Sequence, residues 1–292
     1  MATTKRPLLG KLRAPGPQPI DWGERASAWS KAPVAALFVL YTLVPLYIMV
    51  KISISGPEDI LTQHPPFWIH HFTLENWREV LTAGGLLGPL RKSLAVATLT
   101  TIMAVAIASP AAYVISRFPR RVKYAVIMAL FFTRMFPDVG IAVSIAVNFI
   151  RLNLLDTDIG LVLAHLIGIL PFIAWILVGT FETIPRDLEK AAMVDGCNKI
   201  TALIHVVGPI ALPGVAVSAI FAWLLSWNEF TYALYLCLSK NTLPIQTYYY
   251  VVRGGWFHAA TYATILTIPV FIVTYFLQRY LRTGYLSGAI KG

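Results

Sequence analysis

Charge is what this 292-residue sequence has least of: 13% of its residues are Asp, Glu, Lys or Arg, against roughly a quarter in soluble domains. A chain of this length with so little polar surface cannot keep its whole exterior in water, which excludes a soluble enzyme or binding module. Cysteine is equally scarce. Cys197 and Cys237 are the only two, and neither sits at metal-ligand spacing, so neither a disulfide framework nor a metal cluster is supported. The phosphate-loop pattern G-x-x-x-x-G-K-[ST] does not occur, so no nucleotide site of that type belongs to this chain. No internal repeat or low-complexity tract stands out. No convergent His, Asp or Ser set of the kind an enzyme needs is visible either, so no catalytic residue is assigned.

Apolar residues fill the space that charge leaves. They make up 57% of the chain, and the mean hydropathy is +0.66. A bilayer core about 30 Å thick is crossed by about 20 apolar residues in a helix. Runs of that size occupy 32–52, 93–116, 124–149, 159–181, 209–238 and 259–281. The fifth is long and carries Asn228 and Glu229 in mid-run. Pro45, Pro110, Pro137, Pro171, Pro213 and Pro269 lie inside the runs, where a membrane bundle can satisfy the carbonyls that proline frees. The fold class is therefore an all-α polytopic membrane protein with six transmembrane helices and a lipid bilayer as its solvent.

The formal net charge of +10 would suit nucleic acid, but its placement argues for loops beside an anionic cytoplasmic leaflet. With the N-terminus inside, one side collects Lys5, Arg6, Lys11, Arg13, Arg25 and Lys31, then Arg117, Arg120, Arg121 and Lys123. Arg186, Lys190, Lys199, Arg279, Arg282 and Lys291 fall on the same side. The other side holds fewer: Lys51, Arg78, Arg91, Lys92, Arg151, Lys240 and Arg253. Both termini are thus expected in the cytoplasm and no nucleic-acid partner is expected. Residues 1–31 read as a largely disordered arm, 32–282 as the membrane domain and 283–292 as a cytoplasmic tail. The segment 56–90, with Trp68 and Trp77, is the largest expected outer stretch and is expected to lie partly along the membrane interface.

Between the fourth and fifth runs, 183–196 reads as a short cytoplasmic helix. Pro185 stands at its start, Asp187 and Glu189 favour its positive end, and Gly196 is a good stop. Ala191 and Ala192 would give it a face slim enough for another protein to approach. The order Ala191-Ala192-x-x-Asp195-Gly196, with Val206 and Pro209 downstream, resembles the EAA loop of ABC importer permeases. Lys190 occupies that motif's usual glutamate position, with Glu189 one residue earlier. Asn76-Trp77, Met135-Phe136-Pro137, Trp227-Asn228-Glu229-Phe230, Thr242-Leu243-Pro244 and the ending 287–292 are similar to the carbohydrate-uptake, maltose-permease branch.

That resemblance implies a type I importer bundle located in the cell membrane. Its partners would be a second, related permease subunit, two ATPase subunits and an extracellular or periplasmic solute-binding protein. This chain would bind no cofactor, since ATP and Mg would sit on the ATPase. The loop 183–209 would couple the two, with Leu188, Glu189, Lys190, Ala191, Ala192, Asp195 and Gly196 as the coupling residues. Closure of the ATP-bound pair would swing the bundle between two states. A secondary transporter or channel would also explain the apolar runs but leaves the loop without a reason, and the paired repeats common in such proteins are not seen.

Ionisable groups at membrane depth are costly and therefore candidates for function. Arg134 and Asp138 lie four apart and would share a helix face, either as a local ion pair or lining the pathway. Asn228, Tyr232 and Tyr235 fall at i, i+4 and i+7, one helical stripe that could meet a sugar's hydroxyls and ring faces. Glu229 joins them as a pathway candidate. Trp223 and Trp227 would pack against a partner or headgroups, and His165 would be a hydrogen-bonded packing residue. A thiol probe placed at Gly254 should be labelled from outside intact cells, and one at Arg121 should not. The reverse pattern would contradict this topology.

Overall fold

The computed structural model describes residues 22–82 and 85–282. The tail 283–292 and residues 1–21 of the N-terminal arm lie outside the described residues, and with them the ending motif. The chain divides into two units, Met1–Ile48 and Met49–Gly292. Helix α1, Trp22–Ser53, supplies the described part of the first unit and keeps its helix through Pro33 and Pro45.

Among the described residues of the second unit, the regular structure is helical apart from one antiparallel bridge, Ser55 to Phe72. Two short helices, α2 (Pro57–Ile60) and α3 (Glu75–Thr82), precede the long α4 (Leu87–Ser116). Next come α5 (Arg120–Phe132) and α6 (Asp138–Arg151), then α7 (Asp158–Glu182). The loop helix α8 (Arg186–Val194) leads to α9 (Lys199–Ala202) and, through a π turn, to α10 (Gly208–Trp227). Two short helices, α11 (Thr231–Leu236) and α12 (Leu243–Val252), precede α13 (Trp256–Arg282).

Among the described residues, five helices are long and apolar enough to cross a membrane, and six spans result if the bent pair α5 and α6 counts as one. Two of the expected continuous runs are in fact broken. The third bends by 83° between Met135 and Asp138. Pro137 removes a helical N–H and restricts the residue before it, and Phe136 accordingly turns extended at φ −76°, ψ 138°. The fifth run stops at Trp227, where Asn228 takes φ −89°, ψ 2° and its side-chain amide donates to the Leu224 carbonyl at 2.8 Å. Pro110, Pro171, Pro213 and Pro269, by contrast, stay inside unbroken helices.

Helix α7 is the axis of the bundle. Its apolar residues Leu166, Ile169, Ile173, Leu177 and Phe181 are buried with Ala104, Ala108 and Ala112 of α4 and Ala211 and Ala222 of α10. The small residues let the backbones close up. At Gly214 a Cβ would collide with the Thr180 side chain, so α10 crosses α7 where only glycine fits. Trp227, 1% exposed, stacks on Trp223 with ring centres 4.9 Å apart and donates its indole N–H to the Leu266 carbonyl of α13 at 3.0 Å. Trp227 therefore packs within the chain, not against a partner or headgroups, while Trp223 is half-buried beside it.

At the end of the bundle opposite the loop helix, Asp59 organises the segment 54–73. Its carboxylate accepts from the backbone N–H of His70 at 2.7 Å and of His71 at 2.8 Å, and meets the His71 ring at 2.9 Å. The His71 backbone bond, above all, holds the Asp59 carboxyl near 2, burial pushing the other way. The hydrogen bond to Asp59 in turn raises the His71 imidazole above its ordinary value. A lowered carboxyl stabilises above its ordinary 3.8 and stops doing so as pH falls toward about 2. A raised imidazole stabilises below its ordinary 6.5 and stops doing so as pH rises through its folded value. Hydrogen–deuterium exchange of the 67–73 segment, corrected for intrinsic rates, should be slowest between those limits. Asp59→Asn should speed it and flatten its pH dependence.

Candidate functional site

Two polar assemblies stand out in the second unit, one at the loop helix and one at the two breaks. Helix α8 begins after Pro185, where a missing N–H leaves nothing unpaired, and ends in a full glycine stop. Gly196 has φ +92°. Its N–H donates to the Met193 carbonyl at 3.2 Å, and the Cys197 N–H donates to that of Ala192 at 2.9 Å. This double closure satisfies the last carbonyls and demands a left-handed residue.

The helix is held to the bundle by one basic residue that the sequence offers only as a loop charge. Arg117, just past the end of α4, pairs through Nη2 with Glu189. Its Nη1 also donates to the Phe181 and Ile184 carbonyls at 3.2 and 3.4 Å. Tyr113 donates its hydroxyl to the other Glu189 oxygen at 2.9 Å, and Arg186 returns a bond to the Arg117 carbonyl at 2.9 Å. Nearby, Lys123 of α5 pairs with Glu182 of α7. Glu189 thus faces its own chain.

Ala192 is also turned inward and is 7% exposed, while Ala191 is open. The expected slim face made of both alanines is not exposed as one surface in this chain, because Ala192 is packed inward. Outward instead point Leu188, Met193 and Val194, the last 86% exposed, followed by Ile200 and Ile204. Lys190 is exposed and bonded to Asp187 at 2.8 Å, which holds that carboxyl below its ordinary value. Asp195 is exposed at the stop.

At the breaks, Arg134 Nη1 reaches Asp138 Oδ1 at 2.9 Å. The pair forms as the spacing predicts, but across the interruption and not on one helix face. Both side chains are about a third exposed on this chain, 34% and 40%. Tyr232 donates its hydroxyl to the same Asp138 oxygen at 3.2 Å. The Asn228–Tyr232–Tyr235 stripe is lost, since α10 and α11 are separate helices. Asn228 is exposed and bonded to its own helix.

Glu229 is turned toward its own chain and is 15% exposed. Its carboxylate accepts from the backbone N–H of Tyr232 at 2.7 Å and of Ala233 at 3.1 Å, capping α11. His165, 2% exposed, presents Nε2 3.1 Å from Glu229 Oε2, out of line for a hydrogen bond, and joins Ser226 Oγ through Nδ1 at 2.7 Å. Hydroxyl, imidazole and carboxylate follow the order that hydrolases use. Ser226 is 4% exposed, however, and a hydroxyl sealed inside a bundle meets no substrate. No spacing rule joins residues 165, 226 and 229, which is why the sequence did not show this cluster.

Comparison with known proteins agrees with this geometry. Residues 94–286 match the family described as the binding-protein-dependent transport system inner membrane component. The chain belongs to that family, and it is a multi-pass membrane protein and a transport subunit, not an enzyme. The trehalose/maltose transport system permease protein of Thermococcus litoralis is 30% identical over 88% of this chain and 95% of its own length. The sulfoquinovosyl glycerol transport system permease protein of Agrobacterium fabrum is 32% identical over 88% and 92%. A chain of a bacterial ABC transporter that imports the acidic polysaccharide alginate superposes with a TM-score of 0.72 at 21% identity, covering 89% of this chain and 98% of that one. At that identity the likeness is one of fold.

Because Arg117 and Glu189 are partly buried, 17% and 14% exposed, losing either partner strands the other. Glu189→Leu or Arg117→Leu should each destabilise the purified protein by a fraction of the about 3–5 kcal/mol of a fully buried pair. The double replacement should cost less than either single one, read as melting temperature in detergent.

Proposed function

We propose that this chain is the permease subunit of an ATP-binding-cassette importer, forming half of the translocation pathway for a sugar or a related polyol or glycoside. It crosses the membrane six times with both termini in the cytoplasm. It works beside a second related permease and receives its solute from an external binding protein. The energy comes from two separate ATPase subunits, engaged through the loop 183–209. The sugar assignment rests on the trehalose/maltose and sulfoquinovosyl glycerol relatives and on the partly exposed Arg134–Asp138 group. That group offers donors and acceptors at membrane depth, where unpaired charge on a lipid-facing surface is costly.

One observation carries the coupling reading above the rest. A nine-residue helix, α8, is anchored to two long helices by Arg117 yet leaves Leu188, Met193 and Val194 exposed. With Ile200 and Ile204 they are exposed apolar side chains gathered in the loop that joins the fourth and fifth runs. Water is a poor neighbour for such side chains, and a partner protein a good one. The ATPase is assigned as that partner because the chain carries no phosphate loop of its own. Any force on α8 then reaches α4 and α7 through Arg117.

The test is substrate-stimulated ATP hydrolysis in reconstituted vesicles, wild type against Gly196→Asp and Leu188→Glu/Val194→Glu. A Cβ at Gly196 meets open space, so the first variant strains the stop through its φ of +92° without a clash. The second places two charges where apolar contact is expected. Insertion of the bundle should be normal in both, while stimulation of hydrolysis and uptake should fall together at least tenfold, which is about 1.4 kcal/mol. Wild-type hydrolysis and uptake in both variants would reduce the loop to a connector.

A further inference from the structure

The two breaks are built against one turn of α7. His165 and Gly168 are three residues apart on that helix and so lie on one face. His165 bonds the hydroxyl of Ser226 and has the carboxylate of Glu229 3.1 Å from its Nε2, one on either side of the break in the fifth run. Gly168 lies under Arg134, close enough that a Cβ there would come within 3.1 Å of Nη1. The third run's break thus rests on the same turn.

Between them stands Tyr232, 2% exposed. Its N–H is held by Glu229 Oε1 at 2.7 Å and its hydroxyl holds Asp138 Oδ1 at 3.2 Å. Each break leaves backbone N–H groups that lipid cannot satisfy. At the fifth run the carboxylate of Glu229 supplies the missing acceptors, and so it fixes the start of α11 and with it the ring of Tyr232. A carboxylate at that depth needs a compensating neighbour, and the His165 ring lies beside it. We infer that Glu229 and His165 are a positioning pair that keeps the Tyr232 hydroxyl on Asp138, latching the break of the third run to that of the fifth. The latch sets how the Arg134–Asp138 pair is presented, and for that consequence alone it rests on the transport reading.

Spin labels at Val139 on α6 and Leu234 on α11, both exposed, test the latch in the whole membrane complex, with Cys197 and Cys237 replaced by serine. The native distance distribution should be narrow. Glu229→Gln, which loses one of two acceptor oxygens, and Tyr232→Phe, which loses only the hydroxyl, should each widen it about twofold as a shared network opens. Together they should widen it no further, because both act on one path. His165→Gln, whose amide can reach Glu229, should stay narrow, and His165→Asn, which reaches only toward Ser226, should not. A merely space-filling histidine would not separate those two. A narrow distribution in Glu229→Gln, additive widening in the double variant, or equal behaviour of the two His165 variants would each overturn the latch. If Glu229→Gln fails to assemble, Tyr232→Phe and the His165 pair decide. The measurement reads distance and not uptake, so its failure leaves the coupling reading standing, and the reverse holds too.

Discussion

One guanidinium ties the loop helix to the end of the bundle. Arg117 takes the carbonyls of Phe181 and Ile184 at the end of α7 and the carboxylate of Glu189 on α8, and its own carbonyl is held by Arg186. A short helix of nine residues has little stability of its own. Bonded in this way, α8 becomes an extension of two spans. On the proposed reading its exposed residues meet the ATPase and its bound face passes displacement to the core beneath.

The same economy of polar groups governs the membrane interior. Breaks in a span are tolerated only where the chain supplies every donor and acceptor itself. The third run breaks where Arg134, Asp138 and Tyr232 converge, and the fifth where Glu229, His165 and Ser226 do. Farther along, Lys92 is buried against the Lys240 carbonyl at 2.8 Å, and Asp156 receives the N–H groups of Leu238 and Ser239. Burial alone would raise the Asp156 carboxyl, but the Ser239 hydroxyl and these N–H groups outweigh it and leave it lowered. The turns before α7 and after α11 are therefore held to the bundle by charged groups as well as by packing.

Much of this was legible in the sequence, and what escaped has specific reasons. Apolar run length placed the membrane helices because hydropathy averages over some 20 residues. The loop helix and its stop followed from Pro185 and Gly196, whose backbone demands are local. The breaks did not follow, since Pro137 ends a helix while Pro110 and Pro171 do not, and only tertiary partners separate those cases. The alanine face failed because a two-residue motif does not say which side packs inward. Arg117 was visible as a cytoplasmic charge, yet its bonds to residues 181, 184 and 189 depend on how α4 and α7 end together. His165 was expected to be hydrogen-bonded, but not to what.

The central claim is that α8 hands the ATPase's movement to the bundle through contacts made by its exposed apolar side chains, Val194 above all. A photo-crosslinking residue in place of Val194 tests it most directly in the assembled complex. The account predicts a covalent product with the ATPase chain from position 194, and none from position 192, which faces inward, or from position 254. No product from position 194, with one appearing at position 254 instead, would contradict both the docking face and the orientation of the bundle.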